Sequence, residues 1–255
     1  MIHEQHFVNA RPANPVILRD GTVLFAAEEY HPKWLGRIRP DAARQISTFR
    51  CSDGEHVVTG SPINTRWSHD SLDNSGRPLF SFFPRLGANS DSRKFIDNVY
   101  CVWAGNRVVS GATGPDGERV FVSVSRDGGH SWDQPASLSE QPLGSNPDYD
   151  YLTALPSVAV NADGVVAVSW YDRRGLPKSD SRLMFEGWNV RARISMDGGA
   201  SWLPSVQLNQ SQSQGEFDMG HTQGLTAAAD GRFHALWIDS RDGTRQLRTT
   251  AFGIK

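Results

Sequence analysis

The sequence has 255 residues, 26 Lys and Arg against 28 Asp and Glu, and a formal net charge of −2. That length suits one all-β domain or two smaller units, and it buries a sizeable core without a disulfide or metal staple. The near-neutral balance, with no long basic run, excludes nucleic acid and anionic membrane surfaces as main partners. Apolar stretches such as residues 165–170 are far too short to span a bilayer, and the opening MIHEQH has neither the basic nor the apolar region of a secretion signal.

Eight Trp, 12 Phe, 24 Gly and 14 Pro, with scarcely any helical periodicity, point to short strands joined by tight turns. In chain order, the first unit opens on Asp20-Gly21 followed by the apolar strand Thr-Val-Leu-Phe-Ala-Ala. A second turn and strand follow at Asp97-Asn98-Val99-Tyr100-Cys101-Val102-Trp103. Next comes the octet Ser125-Arg-Asp-Gly-Gly-His-Ser-Trp132. The third unit is the fullest: a strand at 155–160, an Asp163-Gly164 turn, a strand at 165–170 and another at 189–194. It continues with the octet Ser195-Met-Asp-Gly-Gly-Ala-Ser-Trp202 and a strand at 203–208. The fourth opens on Asp230-Gly231 and the strand ending at Trp237, and it reaches a third strand at 245–252 with no octet after it. Cys51 and Cys101 lie in apolar, strand-like segments and read as small buried hydrophobes rather than a disulfide.

Both octets fit Ser-x-Asp-x-Gly-x-x-Trp and stand 70 residues apart, while the Asp-Gly turns at 20, 163 and 230 follow the same period or twice it. Two independent markers sharing one period predict a β-propeller of four-stranded antiparallel blades. The predicted blades are approximately 14–65, 79–140, 150–212 and 220–255, within a single domain spanning 1–255. The first two strands of a unit are almost continuously apolar, as expected of inner strands covered on both faces.

The octet residues are accounted for by folding. Asp127 and Asp197 are expected to accept backbone N–H bonds one or two residues on, with Ser125 and Ser195 reaching across the same turn. Gly129 and Gly199, each behind another glycine, supply positive φ, and Trp132 and Trp202 fold back to bury their rings.

With these residues in view, the octets resemble the Asp-box, or BNR repeat, of sialidases and other propeller glycosidases. Arg50-Cys51-Ser52-Asp53-Gly54 resembles a decayed copy lacking the Trp and one Gly. The resemblance covers residues 14–255. It implies an exo-acting, sialidase-type glycoside hydrolase or a remnant of one, secreted to an extracellular or periplasmic location, without a cofactor and with a glycan as partner. It also implies a six-bladed propeller, of which about four blades are present; the other reading has 6–10 completing the last blade as a closing strand. Within the resemblance, an arginine cluster grips the substrate carboxylate, an aspartic acid is the acid/base, and a tyrosine activated by a glutamate is the nucleophile. Arg11, before Pro12, and Arg37, in Arg37-Ile-Arg-Pro40, are candidates for the cluster, with Asp41 as the acid. Trp170-Tyr171-Asp172-Arg173 and Trp237-Ile-Asp239-Ser-Arg241 end inner strands in equivalent places. They make Arg173 and Arg241 further cluster candidates, Tyr171 the nucleophile and Glu186 its activator. His221 opens an inner strand and is placed to face the channel.

Alternatives accompany each of these. The Asp–Arg pairs equally suit a repeat-encoded pin at each blade rim, and Arg37–Asp41 a solvated loop. No zinc or EF-hand motif is present; Asp148, Asp150 and the polar turns could hold calcium, but isolated acidic loops are usually just solvated, so no metal is expected. Trp132-Asp133 does not indicate a WD40 propeller, whose repeat is about 40–45 residues. Since the fold hosts both activities, the second functional class is a non-catalytic propeller that binds glycan or protein.

Overall fold

In the computed structural model, the described residues are 10–29, 44–68, 84–109, 112–113, 119–140, 149–150, 153–174, 176–177, 185–186, 188–210, 216–217 and 223–254. One turn recurs through them and sets the first two strands of each blade. Leu18, Asn161 and Ala228 each donate N–H to the residue after the turn glycine and accept N–H from Gly21, Gly164 and Gly231. Those glycines have φ of 86°, 78° and 82°, a region that residues with a side chain rarely enter. The sequence therefore reverses at these points and runs back antiparallel.

Blade one comprises β1 (Ala10–Pro12), β2 (Val16–Ile17), β3 (Val23–Glu29), β4 (Arg44–Cys51), β5 (Val58–Thr59) and β6 (Asn64–Ser68). β1 and β2 form one interrupted inner strand on β3, and β5 and β6 one interrupted outer strand on β4. Blade two comprises β7 (Arg85–Gly87), β8 (Val99–Val109), β9 (Ala112–Thr113), β10 (Arg119–Ser125) and β11 (Ala136–Ser137). Its main order is β7-β8-β10-β11, and β6 also pairs the far end of β8, so blades one and two share one 11-stranded sheet. Blade three holds β12 (Tyr149–Asp150), β13 (Thr153–Val160), β14 (Val166–Asp172), β15 (Leu176–Pro177), β16 (Phe185–Glu186), β17 (Asn189–Ser195) and β18 (Val206–Gln207). There β13-β14-β17-β18 is the blade, and β12 pairs β15 beside it. Finally β19 (Glu216–Phe217) pairs β16, and β20 (Gly224–Ala227), β21 (Phe233–Asp239) and β22 (Gln246–Phe252) form a three-stranded fourth blade. The architecture is all-β, a propeller of antiparallel blades of which about four are present.

The core lies between blades rather than within them. Leu24, Ala26, Ile46 and Ile63 meet Leu86, Val99 and Trp103 between blades one and two. Tyr100, Val122 and Leu138 meet Val158, Val168 and Trp170 between two and three, and Trp188 and Val190 meet Ala235 and Trp237 between three and four. Every residue of β14 is buried, as its continuous apolar run predicts for an inner strand covered on both faces. The innermost strands line a common cavity of about 420 Å³, with Asn14, Leu86, Val158 and Leu225 around it. Asparagines bridge consecutive blades there. Asn14 pairs Leu86 backbone in both directions (2.8 and 3.0 Å), Asn89 donates to the Val160 carbonyl (3.2 Å), and Asn161 to that of Gly231 (2.9 Å).

Ala10 pairs Glu29 in blade one, and the rest of the 6–10 segment, offered by the sequence as a closing strand for the last blade, lies outside the described residues.

Candidate functional site

Strand polarity gives the propeller two unlike ends. The Asp-Gly turns and the octets lie at one end, and the connections from second to third strand and from blade to blade leave from the other.

At the octet end the carboxylates are saturated. Asp127 accepts from the Ser125 hydroxyl (2.8 Å) and the N–H groups of His130 (3.1 Å) and Ser131 (2.9 Å), and its other oxygen takes the Ser131 hydroxyl (2.5 Å). Asp197 repeats this with Ser195 (2.9 Å), Ser201 N–H (2.8 Å) and the Ser201 hydroxyl (2.5 Å). The backbone bonds come from three and four residues on, not the expected one or two, because two left-handed glycines lengthen the turn. Burial pushes the Asp127 carboxyl up, but these donors outweigh it and hold it at about 2. The Ser201 hydroxyl and N–H hold Asp197 at about 2 as well. A Cβ on Gly129 would stand 2.7 Å from the Leu24 side chain, so the turn also needs glycine for close approach. Trp132 packs on the core between blades one and two, Trp202 on that between two and three.

In blade one Asp53 holds the corresponding turn. It accepts Glu55 N–H (2.9 Å) and His56 N–H (2.8 Å), and the His56 ring replaces the serine hydroxyl at 2.7 Å. Beside it, Arg50, His56, Ser61 and His130 border a cleft of about 530 Å³.

The other end is built differently. Among the described residues the buried charged side chains are Glu28, Asp172, Arg173 and Asp239, and all four sit at the end of a blade's second strand. Asp172 accepts the Trp170 indole N–H (3.0 Å) and the Arg174 N–H (2.6 Å). Asp239 accepts from Trp237 (3.4 Å), Arg241 N–H (2.9 Å) and the Arg241 guanidinium (3.0 Å). The repeat is thus Trp-x-Asp-x-Arg. Arg241 corresponds to Arg174, and Arg173 corresponds to Ser240, so Arg173 and Arg241 are not the equivalent pair that their spacing in the sequence suggests. Burial raises the Asp239 carboxyl, but the Arg241 hydrogen bonds prevail and hold it below its ordinary value. Arg174 reaches Glu140 of the preceding blade (3.2 Å) and the Ser205 hydroxyl (3.0 Å) while staying 3.8 Å from the Asp172 carboxylate, and Arg193 approaches Glu140 as well (3.8 Å).

Arg173 is 1% exposed, with its guanidinium 5.7 Å over the Trp188 ring. Tyr171 meets that ring edge-on at 6.1 Å, and its hydroxyl accepts the Ile238 N–H of the next blade (3.0 Å). Burial pushes the phenol up to about 12, partly offset by that bond. Nearby, Leu155 adopts φ 49° where β13 slips register against β14, the kind of bulge that re-aims a strand beside a site.

Of the residues singled out in the sequence, Tyr171 and Arg173 meet at the Trp188 ring in blade three, and Arg241 follows the corresponding strand of blade four, paired with Asp239. Arg11 lies in β1 opposite Glu28, and Glu186 in β16 opposite Glu216. Asp41, Arg37, His221 and Asp148 lie outside the described residues. Glu28, Arg174 and Trp188 were missed. Glu28 stands seven residues after its turn glycine, as Tyr171 and Ile238 do after theirs, so the repeat register alone would have flagged a carboxylate at an inner-strand position. Among the described residues no three His, Cys, Asp or Glu are grouped to hold a metal ion, and no helix is long and apolar enough to cross a membrane.

No protein family and no curated protein matches the sequence. Solved structures do. The α-L-arabinofuranosidase Arb93A from Fusarium graminearum, with an iminosugar inhibitor, superposes over 91% of this chain and 56% of its own (TM-score 0.52, 16% identity). A mutant of that enzyme matches over 96% and 62% (TM-score 0.53, 16% identity). An intramolecular trans-sialidase from Ruminococcus gnavus, with oseltamivir carboxylate, matches over 95% and 68% (TM-score 0.49, 10% identity). The chain thus spans little more than half the length of the arabinofuranosidase it resembles, and at these identities the likeness is one of fold. That fold is the β-propeller.

Proposed function

We propose that this is a carbohydrate-active propeller that meets a glycan at the end where the inter-strand connections leave, outside the cytoplasm. The gathering of Glu28, Asp172, Arg173 and Asp239 at that end carries the reading, since buried charge is costly and concentrates where function needs it. The octets support kinship with Asp-box propellers, and the arabinofuranosidase likeness supports a glycosidase-type site. The finer proposal is an exo-acting sialidase-like hydrolase, with Arg11, Arg37, Arg173 and Arg241 on the substrate carboxylate, His221 beside them, Asp41 as acid and Tyr171 with Glu186 as nucleophile pair.

A second reading, glycan binding without hydrolysis, is favoured by Tyr171, whose hydroxyl serves Ile238 and whose phenol stays protonated near neutrality. Fluorophore release from an aryl sialoside and an aryl α-L-arabinofuranoside, for the wild type, Asp41→Asn and Glu28→Gln, separates the two. Turnover lost in Asp41→Asn supports hydrolysis. Calorimetric glycan binding without turnover supports the second reading. Neither turnover nor binding across a glycan panel defeats both.

A further inference from the structure

The octet end carries side chains that its repeat does not call for. Arg50 stands opposite Leu24, in the place held by Val124 opposite Tyr100 and by Ile194 opposite Ala167. Val124 and Ile194 are 4% and 7% exposed, so the frame takes a buried hydrophobe here and blade one supplies a guanidinium. His56 and His130 each stand three residues after a turn aspartate, where blade three has Ala200. These departures from the repeat border one cleft of about 530 Å³, between blade one and the octet of blade two. Positions that a repeat does not need for its fold are where it is free to carry a function.

Every residue lining this cleft is among those described. Its unused hydrogen-bonding capacity lies on the donor side. The carboxylate on its wall, Asp53, already accepts the N–H groups of His56 (2.8 Å) and Glu55 (2.9 Å) and meets the His56 ring at 2.7 Å. Those bonds, led by the His56 N–H, hold its carboxyl far below the ordinary value. Arg50 gives one of its five N–H groups to the Gly128 carbonyl. His56 turns Nδ1 to Asp53, which leaves Nε2 directed away from that carboxylate. His130 serves its own turn through the backbone N–H (3.1 Å), so its ring is not part of the turn.

The cleft also has an apolar wall and a fixed width. Val58 lies directly across from Arg50 and is 65% exposed. The Ser61 hydroxyl donates to the His130 carbonyl (2.9 Å) and ties the two sides together. A volume of roughly 300–1,000 Å³ is usual for small-molecule sites. Cationic donors beside an aliphatic surface suit a ligand with an oxyanion on one side and C–H groups on the other. No Phe, Tyr or Trp lines the cleft, which disfavours a nucleobase or an aromatic acid and leaves a charged sugar as the best fit.

We propose that this cleft binds a sugar bearing an oxyanion, a uronate or a sulfate ester, with Arg50, His56 and His130 on the charged group and Val58 against the ring. It is a separate ligand site at the opposite end from the one proposed above, and it does not depend on that reading. The probes are glucuronate and N-acetylglucosamine 6-sulfate, titrated at about pH 6, where an ordinary imidazole is largely protonated. Binding is followed by NMR through the ring protons of His56 and His130, which report on the octet end alone. N-acetylglucosamine and inorganic sulfate, at equal ionic strength, are the controls. Saturable shifts of both rings are expected with one or both charged sugars, and at least tenfold weaker binding in Arg50→Gln. Because Arg50 also holds the Gly128 carbonyl, His130→Ala is the second variant. It should weaken binding at least threefold with unchanged circular dichroism. Equal binding of the neutral sugar overturns the proposal, as does the absence of ring shifts with both charged sugars. Inorganic sulfate binding as tightly as the sugar sulfate also overturns it, by reducing the cleft to a site for a free anion.

Discussion

The two ends of this propeller hold locally bonded carboxylates in different surroundings. At the octet end Asp127 and Asp197 are exposed, and each is closed by donors within four residues of itself. At the other end Asp172 and Asp239 are buried, and the groups around them reach across blades: Arg174 to Glu140, Tyr171 to Ile238. Repetition at the first end makes turns whose aspartates are closed locally while their glycines and tryptophans pack on the neighbouring blade. At the second, the same repeat frame carries different charges in each blade, which is where a repeat protein acquires specificity.

Breaking the cross-blade end is expected to cost most. Trp170→Ala removes a fully buried ring from the core between blades two and three together with the indole N–H on Asp172, and should destabilise by about 3–5 kcal/mol in chemical denaturation. Asp239→Asn strips the partner of the Arg241 guanidinium and should cost about 2 kcal/mol at neutral pH. Its folded pKa is depressed, so that contribution is present above the ordinary carboxylate value of 3.8 and is lost as pH falls through the folded value. Wild type and variant should converge in acid. Tyr171→Phe leaves the Ile238 N–H buried without its acceptor, a loss of about 1–2 kcal/mol by thermal unfolding. The tyrosine's folded pKa is raised, so its contribution holds below pH 10 and is lost as pH rises through about 12.

The octet end should respond least. Asp127→Asn or Asp197→Asn should each cost about 1 kcal/mol after allowance for solvent screening. The difference from wild type should be present above pH 4 and be lost as pH falls through about 2, following the folded values. If these exposed aspartates prove costlier to lose than Asp239, the contrast between the ends is wrong.

Much of the fold was legible because its signals are short-range. The Asp-Gly turns, the octets and the continuous apolar strands are written in neighbouring residues, and their shared period counted the blades. The candidate site was legible only in outline. Arg173 and Arg241 looked equivalent because each follows an aspartate, yet the Trp-x-Asp-x-Arg register pairs Arg241 with Arg174. Glu28 drew no role from the sequence, although it lies within β3 and is fully buried.

By itself, then, the sequence determined the period, the turns and the apolar strands of this propeller, since each depends on residues within a few positions of one another. The tertiary structure decided which arginine meets which carboxylate and that the Tyr171 hydroxyl serves the next blade. The Arg174–Glu140 and Tyr171–Ile238 contacts join residues half a repeat and a whole repeat apart, and they depend on how the blades stack, which no local pattern of side chains records.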